Sequence, residues 1–182
     1  MVARRDAPSV HGQIVVPEES AITDLAQLSG QDVVFPGPEA TISYKFTYAQ
    51  LLSRKIPVNV VFAGNTDAGF VQLFSGKAKA MGANSQLVQG YTAREGRKFR
   101  VLWSTDPLHD LALMVSGKVP AKDQQAVAAA FAGMAADPKG LEVLQNASRA
   151  AGLPKVTGFV SSDGSEYEPY RRFYLTAPPQ LR

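Results

Sequence analysis

The chain has no cysteine. Disulfides, thiolate metal sites and cysteine nucleophiles are therefore excluded, while the redox compartment stays open, because reducing and oxidising compartments both admit such a chain. Histidine is scarce: His11 and His109 are the only two in 182 residues, and neither HExxH nor a comparable ligand spacing occurs. A catalytic metal site is not expected. A serine triad has no evident base, and GxSxG is absent as well. No run approaches the roughly 18 apolar residues of a membrane span. The opening "MVARRDAPSV" carries Arg4 and Arg5 with no apolar stretch behind them, so it does not read as a secretory signal. An excess of one charge is also missing, since the formal net charge is +3. The densest basic group, Arg94, Arg97, Lys98 and Arg100, is too small to point to nucleic acid.

What is present is an ordinary globular composition, 45% hydrophobic and 19% charged. The length suits one average domain or two small lobes. The middle of the chain alternates. "GQIVV" is a β-branched run stopped by Pro17, and "AITDLAQLSG" is a short amphipathic helix that Thr23 can cap, Asp24 suits and Gly30 can end. "QDVVF" is the next strand. After it, Tyr44, Tyr48, Leu51 and Leu52 recur at helical spacing. "VNVVFAG" reads as a buried strand, followed by a helix with Phe70, Val71 and Phe74 before Gly76. "AKAMGAN", "SQLVQGYTARE" and "FRVLWST" continue as strand, helix and strand. Such alternation predicts an α/β fold with a mainly parallel sheet covered on both faces. The tail differs: "LALMVSGKVP" is a strand and turn, and helices follow over Lys122 to Ala136 and Pro138 to Ala151, with Gly152 as the stop.

In open α/β sheets ligands gather beyond the carboxyl ends of the strands. Three loops qualify here. The first, within "FPGPEATISYKF", carries Ala40, Thr41, Ile42, Ser43 and Tyr44; the second carries Gly64, Asn65, Thr66 and Asp67; the third carries Asn84 and Ser85. Each residue has a plain structural reading beside the functional one, because Ser, Thr, Asn and Asp cap any helix. Three such loops on one sheet edge point to a small-ligand site. Neither GxxxxGK[ST] nor GxGxxG appears, so a nucleotide fold is disfavoured. Trp103, Tyr91, Tyr167, Tyr170, Phe173 and Tyr174 could line a cleft or fill a core.

The ordered segments "ITDLAQLSGQDVVFPGPEATISYKFTYAQLL", "VVFAGNTDAGFVQLFSGKAKAMGANSQLV", "FRVLWSTDPLHDLALMVSGKVP" and "FAGMAADPKGLEVL" resemble the PhnD-like phosphate- and phosphonate-type solute-binding proteins of ABC importers. The resemblance covers nearly the whole chain and implies the C-terminal portion of a type II periplasmic-binding fold. It implies residues 1–16 as the end of lobe one with an outgoing crossover, 17–108 as lobe two, and 109–182 as the returning crossover with C-terminal helices of an incomplete first lobe. Hinge positions near Val16 and Asp110 follow from it. By position, the anion-holding hydroxyl loop of that family falls on Ala40, Thr41, Ile42 and Ser43, where only the threonine matches and Ser43 is displaced by one. The family's histidine falls on Thr66 and its acidic residue on neutral Asn84. The expected ligand contacts are thus Thr41, Ser43, Tyr44, Thr66 and Asn84.

The function this implies is capture of a small polar or anionic solute for a membrane permease, by lobe closure. No cofactor, no metal, no nucleic-acid partner and no enzymatic step are expected, and the location is periplasmic or otherwise extracytoplasmic where the parent carries a signal peptide. Two alternatives stay open: a ligand-sensing module of a regulator, and a biosynthetic enzyme on a related bilobal fold. The C-terminal helices from Lys122 onward are expected to expose an apolar patch and to favour self-association.

Overall fold

A computed structural model describes residues 3–150 and 155–182. Its strands are β1 (Ala3–Arg5), β2 (Gly12–Pro17), β3 (Asp32–Phe35), β4 (Asn59–Phe62), β5 (Ala80–Asn84), β6 (Phe99–Ser104), β7 (Ala112–Leu113) and β8 (Phe159–Val160). The α-helices are α1 (Thr47–Ser53), α2 (Thr66–Phe74), α3 (Ser85–Glu95), α4 (Ala121–Gly133), α5 (Pro138–Ala150) and α6 (Glu168–Thr176). Gly152, expected to stop α5, lies outside the described residues. The chain divides into a larger unit, Val10–Pro107 with Arg172–Arg182, and a smaller one, Met1–Ser9 with Leu108–Arg171.

The larger unit is built on a five-stranded sheet in the order β4-β3-β5-β2-β6. β3 pairs in parallel with β4 and with β5. β2 is antiparallel to both β5 and β6. Four strands therefore run one way and β2 alone runs against them, so the sheet is mixed, with two parallel and two antiparallel pairings. Side chains alternate between its faces. Ile14, Val16, Val33 and Phe35 enter one core with Leu28 and Leu51, whereas Val15, Val34 and Met81 enter the other with Phe70 and Leu73. α1 covers the first face and α2 the second, which is why "IVV" and "VVF" are apolar without interruption.

Several local expectations change. β4 is an edge strand with Asn59 and Phe62 exposed, not a buried one. "AITDLAQLSG" forms a single 3₁₀ turn, Leu25–Leu28, and its cap is Asp24 rather than Thr23. Asp24 Oδ1 accepts the Ala26 N–H at 2.8 Å while Gln27 Oε1 accepts the N–H groups of Thr23 and Asp24 at 2.8 and 3.0 Å. This capping box closes one turn. Gly30, at φ 74°, then turns the chain into β3 before a second turn can form.

Val16, expected at a hinge, is fully buried within β2 and paired to Arg100 of β6. The chain passes between the units at Ser9–Val10, at Pro107–Leu108 and at Arg171–Arg172. Near the end of the segment 109–182, expected as the returning crossover and C-terminal helices, Ala177 and Leu181 are buried in the core of Ile14 and Phe35. Their apolar side chains close the face that α1 leaves uncovered.

The smaller unit holds a three-stranded antiparallel sheet, β7-β1-β8, with α4 and α5. Its core is thin. No residue of α4 is fully buried, α5 buries Leu144 and Ser148, and Leu111, Met114 and Val143 are exposed. Polar contacts do much of the joining. Arg5 pairs with Asp110, the other expected hinge residue, and the hydroxyls of Tyr167 and Tyr170 donate to the carbonyls of Leu111 and His109 at 3.1 and 2.6 Å.

Two carboxyls of this unit are held below their ordinary range. The backbone and hydroxyl of Ser165 do so for Asp163; for Glu166 its own backbone amide leads, followed by Ser162 and by Arg4, whose Nε donates to Oε1 at 2.8 Å. A depressed folded-state pKa gives stabilisation that is present above the ordinary carboxylate range and is lost as pH falls through it. Glu166 is expected to titrate, by side-chain NMR, below the ordinary glutamate value of about 4.3. A titration at or above that value would show that its backbone amide, Ser162 and Arg4 together do not hold it.

Candidate functional site

Because β4, β3 and β5 are adjacent and parallel, their carboxyl ends lie on one edge of the sheet, with Phe35 opposite Phe62 and Val34 opposite Met81. The three loops singled out in the sequence leave from that edge. The first is the most constrained. Ala40 O accepts both the Tyr44 N–H at 2.7 Å and the Lys45 N–H at 3.2 Å, which makes Thr41–Phe46 a widened, π-helical turn running directly into α1. Such turns are rare. This one is braced by Thr47, whose buried hydroxyl donates to Ser43 O at 2.7 Å.

The turn rests on two glycines of the sheet. A Cβ at Gly12 of β2 would stand 2.6 Å from Ile42 O, and one at Gly82 of β5 would stand 2.3 Å from Ser43 O. Only hydrogen fits at either place, so both strands carry glycine where the turn's backbone presses on them. The first amides of the turn precede its first internal hydrogen bond.

The predicted contacts fall into three kinds. Thr41 is half-buried, with Oγ1 3.4 Å from the hydroxyl of Tyr174, while Ser43 is buried in the same turn. Tyr44 faces the core: its ring lies 5.0 Å from Phe35, 5.5 Å from Tyr48 and 4.9 Å from Phe62. Burial, and then Tyr48, push its phenol pKa up. The last two residues sit at helix starts. Thr66 opens α2 behind Asn65, whose Oδ1 accepts the Ala68 N–H at 2.8 Å, and Asn84 caps α3 by accepting the Gln86 N–H at 2.9 Å. For Asn84 the capping role and the edge position coexist, since its amide nitrogen is not the capping atom.

Next to the third loop, Ser85 Oγ accepts the His11 N–H at 3.0 Å and Thr105 Oγ1 accepts the Gly12 N–H at 3.0 Å. His11 Nδ1 lies 2.8 Å from Thr105 O. These bonds tie the start of β2 to the ends of β5 and β6 and hold the sheet edge rigid. Asp67 is spent elsewhere, in an exposed pair with Arg94 at 2.8 Å. Among the described residues no group of three or more His, Asp or Glu could hold a metal.

Sequence reasoning missed Lys45. It is a buried lysine in the π-helical turn, its Nζ 3.7 Å from Glu39 Oε2 and 5.3 Å from the ring centre of Tyr174. The available signal was its spacing of four from Thr41, which places both on one side of the turn.

Comparison with known proteins gives a consistent picture. The family model described as "ABC transporter, phosphonate, periplasmic substrate-binding protein" matches residues 1–167. Among solved structures, a Xanthomonas citri protein bound to chloride has a TM-score of 0.74 and 16% identity, over 96% of this chain and 67% of its own. PhnD1 from Prochlorococcus marinus in complex with methylphosphonate scores 0.71 at 13% identity, over 94% of this chain and 68% of its own. A binding protein component of an ABC phosphonate transporter from Pseudomonas aeruginosa scores 0.70 at 13% identity, over 96% and 61%. The chain thus spans about two-thirds of the length of these structures. They share the type II periplasmic-binding fold with it. No curated protein sequence matches significantly.

Proposed function

The chain belongs to the periplasmic substrate-binding protein family of phosphonate ABC transporters, and on that premise we propose that it captures a small polar or anionic solute at the carboxyl edge of β3, β4 and β5. The observation that carries this reading is the π-helical turn, fitted closely onto Gly12 and Gly82 so that Thr41 and Ser43 are held in place before any ligand arrives. Preorganised donors bind with less loss of entropy than donors that must be ordered. Thr66 and Asn84 contribute from the neighbouring helix starts, and Tyr44 acts from below by fixing the turn on the core.

The process is binding and release, with no bond made or broken. In the whole protein, lobe closure over the solute would turn the chain at Ser9–Val10 and Pro107–Leu108 rather than at Val16, with Asp110 just beyond the second connection. Delivery to a membrane permease and an extracytoplasmic location follow from the family. Among the described residues no helix is long and apolar enough to cross a membrane.

A thermal-shift series with inorganic phosphate, methylphosphonate, sulfate, amino acids and small organic acids tests the reading. A ligand at a hundred times its Kd stabilises the native state by about 2.7 kcal/mol, which a melting curve resolves. A rise with one chemical class, lost in Thr41→Ala, is the expected result. No rise with any class would overturn it.

A further inference from the structure

We propose that Lys45 is the cation that receives the anionic group of the ligand, and that Glu39 occupies it in the ligand-free chain as an internal counter-ion which the ligand displaces. This rests on the solute-binding reading above and assigns the charge of the solute within it.

The asymmetry of the pair carries the inference. Lysine is seldom buried without a partner, yet the Lys45 side chain is only 11% exposed whereas that of Glu39 is 91% exposed. Most of the lysine side chain is therefore covered by the fold, whereas that of Glu39 lies almost wholly in solvent. Their separation of 3.7 Å exceeds the 2.7–2.9 Å of a charge-assisted hydrogen bond. A structural salt bridge would show two ordered partners at bonding distance; here one partner is fixed and the other is exchangeable.

The surroundings of the ammonium are those of an oxyanion site. Its Nζ stands 5.3 Å from the ring centre of Tyr174, whose hydroxyl is 3.4 Å from Thr41 Oγ1. The Phe173 ring stacks on Phe46 at 4.4 Å and holds this end of the chain against the turn. Three ammonium protons, a threonine hydroxyl and a phenol thus border one patch, and all can donate. Glu39 is the carboxylate present, and it arrives from the exposed stretch before Ala40. An entering phosphate- or phosphonate-like group replaces the carboxylate at the ammonium, one anion for another, so the buried charge is compensated in both states.

Isothermal titration of the chain with inorganic phosphate, with methylphosphonate and with a neutral amide at low salt provides the test. Glu39→Gln removes an exposed carboxylate, and with its fold checked by circular dichroism it is expected to tighten anion binding about three- to fivefold by ending the competition. Lys45→Met keeps the buried stem and is expected to weaken anion binding about thirty- to a hundredfold. Unchanged or weaker anion binding in Glu39→Gln, or wild-type binding in a folded Lys45→Met, overturns the proposal. Binding of the neutral amide without either anion overturns it while leaving a solute-binding chain. Binding of no probe overturns both readings.

Discussion

Replacing Gly82 by alanine is expected to cost the chain about 3 kcal/mol and to abolish any ligand response at the first loop. The added Cβ would stand 2.3 Å from Ser43 O and 2.5 Å from the Phe35 ring. Neither neighbour can give way cheaply. Ser43 O is a backbone atom already accepting from Thr47, and Phe35 is fully buried with the rings of Tyr44 and Tyr48 packed edge-on against it. The strain would be relieved by lifting the turn off β5, which moves Thr41, Ser43 and Lys45 together. Denaturant titration followed by circular dichroism measures the loss, and the thermal-shift series measures the function. A variant with the wild-type midpoint would mean that the turn is not pressed onto the sheet, and the preorganisation argument would fall with it. Gly12→Ala is the companion case, at 2.6 Å from Ile42 O.

Arg5→Ala is expected to destabilise the smaller unit by about 2–3 kcal/mol, somewhat below the 3–5 kcal/mol of a fully buried pair. The Arg5 side chain is 10% exposed and that of Asp110 22%, so the pair is largely shielded from water. Removing the guanidinium leaves the Asp110 carboxylate part-buried without its cation. Few apolar contacts compensate, since α4 buries no residue fully and α5 only two. The loss should appear in β1, β7 and β8 by amide hydrogen exchange while β2, β3 and β5 keep their protection. Equal loss in both sheets would show that the two units unfold as one. The double variant Arg5→Ala, Asp110→Ala should recover part of the stability, because no buried charge is then left alone.

The sequence was most informative where structure is local. The β-branched runs, the helix starts at Asn65 and Asn84, and the stop at Gly76 all lie where their neighbours along the chain place them. The alternation also foretold that three loops would leave one sheet edge, because parallel neighbours joined by helices put their carboxyl ends together. It misjudged β4 as buried, since an apolar run does not say whether a strand is central or at an edge.

Thr23 was a reasonable cap by type, but which of two adjacent polar residues caps a turn depends on backbone angles that composition does not carry. The buried place of Ala177 and Leu181 in the core of Ile14, the hydroxyl contact between Thr41 and Tyr174, and the burial of Lys45 were not legible, because each depends on residues far away along the chain.

What the sequence determined by itself, then, is most of the strands and helices of the larger unit, their order and the edge from which the polar loops leave, all consequences of periodicity and capping within a few residues. Only the tertiary structure decided that β2 runs antiparallel between β5 and β6, that Gly12 and Gly82 serve as seats for a π-helical turn, and that a lysine within that turn faces an exposed glutamate. Those features come from close packing and from charge compensation between distant segments, and neither leaves a periodic trace in the chain.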